Sequence, residues 1–319
     1  MTEAKKSRQW IWMVVGIVAA CALTFILCLW GTSLLMGLSA GTELGFGDAV
    51  AIVYVEGPIV VGREEVGLFG VEAAYSETIV ERLRRAEGNS AVKAIVLRVE
   101  SPGGSVVASD EIYQEIVKAK GKGKPVVVSM GELAASGGYY ISAPADHIVA
   151  NPATLTGSIG VIAMAPNIEE LMGKIGVDVV VIKSGALKDE LSPFREMTEE
   201  EHQLWQKIID EAYGQFVTVV AEGRGLDEEK VRELADGRVY TGRQALELGL
   251  VDELGNLPEA VEAAARLGGI VDRPRLIEYR RTPTLFSALM SSFAGRSQMV
   301  DLEKFLGLKR RFSVQYLYL

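Results

Sequence analysis

Ser136 stands in Gly131-Glu-Leu-Ala-Ala-Ser136-Gly137-Gly138-Tyr139-Tyr140, behind an apolar run and ahead of a helical pattern. A serine at such a turn, flanked by small residues, can lie at a helix start with backbone N–H groups open toward a developing oxyanion, which is the chemistry of acyl transfer. Ser101-Pro102-Gly103-Gly104-Ser105 is a second glycine-rich turn of the same kind. Taken singly, each is more often a plain turn or helix cap. A dinucleotide site is not supported, because the full Gly-x-Gly-x-x-Gly pattern is missing.

A nucleophilic serine needs a base, most often histidine. The chain has two. His147 opens a buried-looking strand, where a satisfied core histidine is expected. His202 follows Glu199-Glu200-Glu201 on a solvated helix start, and neither histidine has an acid partner legible in sequence. Lysine can do the same work where burial makes the neutral amine available. Lys183 and Lys188 frame Lys183-Ser-Gly-Ala-Leu-Lys188-Asp189, and spacing alone does not choose between them.

The elements that must position these residues alternate in type. Ala49 to Val55, Val92 to Val99, Pro125 to Ser129, His147 to Ala150 and Val177 to Ile182 are short and rich in Val and Ile, as buried strands should be. Tyr75 to Ala86 and Ser109 to Lys120 show 3.6-residue amphipathic spacing between them. This alternation predicts an α/β domain with parallel pairing and right-handed crossovers. From Thr198 to about Leu234 the pattern is helical: Thr198 and Glu201 form a capping box, Leu204, Trp205, Ile208, Ile209, Ala212 and Phe216 form a stripe, and Gly223 and Gly225 break it. Gln244 to Leu248 and Leu257 to Leu267 read as further helices closed by Gly249 and Gly268. After Pro274 come a possible edge strand at Arg275 to Arg281, a short apolar helix at Leu285 to Phe293, and an apolar octapeptide, Phe312 to Leu319.

The whole chain has 319 residues, 49% of them apolar and 24% charged. Much of the apolar excess is local, since Trp10 to Gly41 contains no Asp, Glu, Lys or Arg. A helix over Trp10 to Trp30 would span about 31 Å, one bilayer. Trp10, Trp12 and Trp30 sit at its ends, and Lys5, Lys6 and Arg8 precede it. Aromatic placement and the positive-inside bias put residues 1–9 in the cytoplasm and everything beyond about residue 42 outside. A cleaved secretory signal would have a shorter apolar region, about 7 to 15 residues. Val18-Ala19-Ala20-Cys21 has the look of a lipoprotein cleavage box, but Ala22 to Trp30 stays apolar where a mature lipoprotein continues with a polar tether.

Residues 1–41 hold three of the 33 basic and one of the 42 acidic residues, leaving a net charge of −11 on the remainder. That disfavours nucleic-acid binding, which needs a cationic face, and gives no reason for the domain to lie flat on anionic lipid. Both cysteines, Cys21 and Cys28, fall in the span, so the outer domain has no disulfide. A zinc site of His and Cys would need all four such residues together, which those positions forbid.

In combination the motifs resemble the bacterial signal peptide peptidase A family in its short, single-repeat form. They are Ser-Pro-Gly-Gly at 101–104, Ala-Ser-Gly-Gly-Tyr-Tyr at 135–140, Thr-Gly-Ser-Ile-Gly-Val at 156–161, Lys-Ser-Gly-x-x-Lys-Asp at 183–189 and the Tyr240 to Asp252 ending. The resemblance covers nearly the whole chain. It implies a ClpP/crotonase-like α/β fold of repeated ββα units over residues 48–274, after the anchor and linker at 10–41 and before an extension at 275–319. It implies Ser136 as nucleophile, Lys188 as general base, Ser158 orienting the lysine, and backbone N–H groups of Gly103, Gly104 and Gly137 as the oxyanion hole, with no metal or cofactor. It also implies a homo-oligomer, an octamer with sites between protomers, and remnant signal peptides, with other envelope peptides or misfolded envelope proteins, as substrates. A related membrane protease that cuts stomatin-like partners would share this chemistry. An acyl-CoA hydratase or isomerase would need neither anchor nor lysine, and an inactive envelope scaffold would keep only the fold. The apolar tail is itself substrate-like, which suggests that it occupies a peptide groove and is trimmed.

Overall fold

The computed structural model describes residues 23–24, 47–64, 73–280 and, as backbone alone, 315–317. The chain divides at Phe46/Gly47, and the described core belongs to the second unit. The segments read as a membrane span at 10–41 and as a helix at 285–293 lie outside the described residues. Among those described, no helix is long and apolar enough to cross a membrane.

The order begins β1 (Ala49–Glu56), β2 (Ile59–Val60), β3 (Ala74–Tyr75), α1 (Ser76–Gly88), β4 (Val92–Ser101), β5 (Gly103–Ser105), α2 (Val106–Gly121), β6 (Val126–Ala135), α3 (Gly137–Ser142), β7 (His147–Ala150) and β8 (Leu155–Gly157). It continues α4 (Glu169–Ile175), α5 (Glu199–Arg224), α6 (Glu228–Leu234), β9 (Val239–Thr241), α7 (Gly242–Glu247), β10 (Glu253–Leu254), α8 (Leu257–Leu267), β11 (Arg275–Tyr279) and β12 (Gln315–Leu317). The main sheet runs β10-β7-β6-β4-β1-β11, with β8 pairing β6 and β9. All its pairings are parallel except β8 with β9. A second sheet has the order β12-β5-β2-β3. Because β11 extends the main sheet, the folded unit runs past residue 274.

Alternation along β1 explains the layers. Ala51, Val53 and Val55 face the larger core, with Ile79 and Leu83 of α1 and Ile112 and Ile116 of α2. Val50, Ile52 and Tyr54 face the other way, against Ala260, Ala263 and Ala264 of α8. Covered on both faces, the central strands carry near-continuous Val and Ile runs, as a parallel sheet requires. The expected strands at 49–55, 92–99, 125–129 and 147–150 are all present, as are the helices at 75–86, 109–120 and 257–267. The capping box of Thr198 and Glu201 is formed at the start of α5.

The expectation of a buried strand at Val177 to Ile182 is corrected. These residues form no strand, and Val180 and Ile182 are 83% and 96% exposed. From Gly160 to Glu200 no residue is buried. Helix α5, about 39 Å long at 1.5 Å per residue, buries Phe216, Val217, Val219, Val220 and Ala221 near its C-terminal end but only Glu201 near its start. An apolar run reads alike whether its cover comes from its own sheet or from elsewhere, and here none of the described residues buries it.

Candidate active site

Ser136 lies where β6 ends and α3 begins, with φ 52° and ψ −116°. A positive φ is costly for a residue with a Cβ and persists only where the surroundings impose it. Here they do: the Ser136 N–H donates to Gly157 O at 2.8 Å, and Tyr140 N–H donates to Ser136 O at 2.8 Å. Fully buried Tyr139 and Tyr140 anchor the helix beyond, their hydroxyls donating to Leu250 O and Asp110 Oδ1, both at 2.9 Å. Burial pushes the Tyr139 phenol upward, so this anchor stays protonated. Ser136 itself is 0% exposed, and its Oγ has no hydrogen-bond partner among the described residues. A buried hydroxyl without a partner calls for an explanation, and a strained strand-to-helix turn is a geometry that can present a nucleophile.

Parallel pairing of β6 with β8 sets Ala135 opposite Gly157. Ser158, next along, also has a positive φ, 49°, is 7% exposed, and donates its N–H to Arg238 O at 2.8 Å. Two serines in strained conformations thus sit at the ends of adjacent strands.

The three expected oxyanion glycines converge. A Cβ on Gly137 would lie 3.1 Å from both Gly103 Cα and Gly104 N and 2.7 Å from Ser109 Oγ, another buried hydroxyl without a partner among the described residues. A Cβ on Gly104 would lie 2.0 Å from Ile59 O. Gly103 N–H donates to Ser101 Oγ at 3.1 Å, so it is already engaged. Gly137, first in α3, has no acceptor for its N–H within the helix.

One group that sequence reasoning missed shapes this corner. Between Val99↔Met130 and Ser101↔Ala134 the β4–β6 register jumps, leaving residues 131–133 bulged. The Glu100 carboxylate accepts there from Glu132 N–H at 2.7 Å and Leu133 N–H at 3.1 Å. A Cβ on Gly131 would lie 1.9 Å from Glu100 Oε2, so a larger residue there would displace the carboxylate from these two N–H groups. The signal was the acid directly before Ser-Pro-Gly-Gly, which has no meaning until the register is known.

Lys188 stands apart. Its residue is exposed, its N–H closes a turn onto Gly185 O at 3.2 Å, and its amine makes no hydrogen bond or ion pair among the described residues. It lies on an open concave surface with Ser184, Gly185, Ala186, Leu187 and Glu200, none of them from the Ser136 corner. The other lysine of the motif is engaged: Lys183 Nζ donates to Asp189 Oδ1 at 2.5 Å and to Ala186 O at 2.8 Å. Hydrogen bonds from Arg195 and then Lys183 hold the Asp189 carboxyl well below the usual range. Those from Arg195, then the Thr198 backbone, hold Glu201 at about 2. Neither histidine hydrogen-bonds the Ser136 hydroxyl. His147 Nε2 lies 2.9 Å from Glu253 Oε2, and His202 is exposed. Among the described residues no group of three or more His, Cys, Asp or Glu is arranged to hold a metal ion.

The family model described as "Peptidase family S49" matches residues 118–270, and the "Clp protease" model matches residues 62–154. A Synechocystis protein named as a protease is 53% identical over 56% of this chain and 64% of its own length. "Protease 4" of Salmonella typhi is 40% identical over 81% of this chain and 40% of its own. An Enterococcus faecium protein named as signal peptide peptidase SppA is 41% identical over 72% of this chain and 67% of its own. The first two are thus spanned over less than two thirds of their length.

Proposed function

The chain belongs to peptidase family S49, and from that membership we propose that it is a membrane-anchored serine endopeptidase with Ser136 as nucleophile and Lys188 as general base. The observation that carries this reading is the Ser136 hydroxyl: buried, without a hydrogen-bond partner among the described residues, and held at φ 52° next to Gly137, which packs on the Gly103-Gly104 turn. Its Oγ attacks the peptide carbonyl while the neutral Lys188 amine takes its proton. Backbone N–H groups of Gly104 and Gly137 receive the oxyanion, Gly103 being committed to Ser101. Collapse expels the amine, which leaves with the proton returned by Lys188, and water releases the acyl group by the same path. Ser158, at the neighbouring strand end, orients the lysine.

In one chain Lys188 is exposed and has no contact with Ser136, and the flanking apolar run at 177–182 is uncovered. Both facts support a homo-oligomer, an octamer as the resemblance implies, in which Lys188 serves a neighbour's Ser136 and is desolvated in doing so. An extended peptide can add as a strand beside β5. The chain's own tail does so, β12 pairing antiparallel with Leu317 opposite Gly103, Tyr316 opposite Gly104 and Gln315 opposite Ser105. The substrates are apolar peptides released at the bilayer, remnant signal peptides among them, met by an enzyme anchored through residues 10–41 with its N-terminus cytoplasmic.

Ser136→Ala and Lys188→Ala should each lower hydrolysis of an apolar peptide by at least about 1,000-fold. Chains of the two variants co-assembled in equal amounts should recover roughly one quarter of the wild-type sites, those pairing an intact serine with an intact lysine. Full activity in either single variant would falsify the dyad, and no recovery on mixing overturns its division between protomers.

A further inference from the structure

Lys188 lies in a stretch that has no core to hold it. No residue from Gly160 to Glu200 is buried, and residues 176–198 contain neither helix nor strand. Yet a general base must be delivered to within hydrogen-bonding reach of Ser136, so something other than packing has to fix its turn. One side chain is placed to do so.

Arg195 Nε and Nη2 donate to the two carboxylate oxygens of Asp189, the residue next to Lys188, at 3.1 and 2.9 Å. Nη2 also reaches the Asp189 backbone carbonyl at 3.1 Å, so the backbone itself is held. On its other edge Nη1 donates to Glu201 Oε2 at 2.9 Å, and Nη2 contacts Glu201 Oε1. Glu201 is 1% exposed, the first buried residue after the arm. It is fixed in turn by the α5 capping box, accepting from Thr198 N–H at 2.8 Å. Lys183, through Asp189 Oδ1 and Ala186 O, ties the opposite end of the 183–189 loop.

We propose that Arg195 is a positioning residue for the general base, a planar clamp that fixes the turn carrying Lys188 to the buried start of helix α5. The inference rests on Lys188 being the base and goes beyond that reading by naming what places it. Arginine suits the task and lysine does not, because only a guanidinium bonds two carboxylates along two edges at fixed angles. The plain alternative is a staple that stabilises the arm without bearing on catalysis, and the experiment separates the two.

In the full-length protein, with an apolar fluorogenic peptide, Arg195→Ala should lower kcat by about 10- to 100-fold and change KM by no more than about twofold, since a misplacement of about 1 Å costs on that order. Millimolar guanidinium should restore part of kcat to Arg195→Ala and none to Lys188→Ala, and Arg195→Lys should remain impaired. Mixed assemblies locate the defect. Arg195→Ala chains should regain activity with Ser136→Ala chains, which supply an intact lysine turn, and gain none with Lys188→Ala chains. Recovery with Lys188→Ala instead, or a wild-type kcat in Arg195→Ala, overturns the proposal. If Arg195→Ala chains do not assemble, Arg195→Lys replaces them in the same mixing pair: recovery with Ser136→Ala chains alone supports the clamp, and recovery with Lys188→Ala chains overturns it. Full activity in Lys188→Ala would defeat the base assignment itself, whatever Arg195 does.

Discussion

Replacing Val180 and Ile182 together by serine should uncouple assembly from folding. Both side chains lie on the arm without regular structure, 83% and 96% exposed in the single chain. Their removal therefore takes nothing from the core of one protomer, and the thermal midpoint of the isolated chain should stay within a few degrees of wild type. In an oligomer whose neighbours cover them, each side chain contributes about 1.5–3 kcal/mol on full burial. Losing most of that for the pair costs about 3–5 kcal/mol per interface, or on the order of 100- to 3,000-fold in association, at about 1.4 kcal/mol per tenfold.

Sedimentation velocity at micromolar concentration, run beside the peptidase assay on the same samples, reads both consequences. The variant should sediment as small species, lose activity, and regain it as concentration rises. A fully active monomer refutes the reasoning at its base, because Lys188 would then reach Ser136 within one chain. A variant that still assembles and still hydrolyses peptide shows that the apolar run is covered by nothing the enzyme needs.

Two further substitutions probe the other half of the site. Gly104→Ala places a Cβ 2.0 Å from Ile59 O at φ +156°, so β5 must shift by about 1 Å and hydrolysis should fall on the order of 100-fold. Gly121→Ala, at the end of α2 with nothing within 4 Å, should leave activity unchanged and add up to about 1 kcal/mol of stability in denaturant titration. Deleting residues 312–319 removes the strand that competes for β5 and should lower KM for peptide with kcat unchanged. An unchanged KM excludes the tail from the groove, and intact Leu319 by mass spectrometry of active wild type counts against trimming.

The parallel core was legible because burial on both faces writes itself as unbroken Val and Ile, and β1, β4, β6 and β7 fell where those runs lie. The Ser136 turn was legible because strain and close approach demand small neighbours, and Gly103, Gly104 and Gly137 do meet there. The second sheet was not, since β5 is Gly-Gly-Ser and β2 and β3 have two residues each, too short and too small to show a period. Glu100 and Arg195 were missed for another reason. Their value lies in a register jump and in a span across two carboxylates, and neither leaves a local pattern. Spacing alone left Lys183 and Lys188 open; Lys183 is ion-paired with Asp189 while Lys188 is exposed, which supports the proposal of Lys188 as base.

The proposed division of the dyad between protomers gives the misread strand and the exposed lysine one cause. A lysine base needs its amine desolvated, yet a lysine desolvated inside its own protomer would carry that cost in every folded chain, paired or not. With Lys188 as the proposed base, its place on an exposed arm, beside apolar side chains that water disfavours, would defer the desolvation to the moment a neighbour arrives. Association of the arm's Val and Ile residues then offsets the expense of burying the amine against Ser136. On this logic the apolar run belongs to the catalytic apparatus as much as to the interface, and the isolated chain is inert by construction.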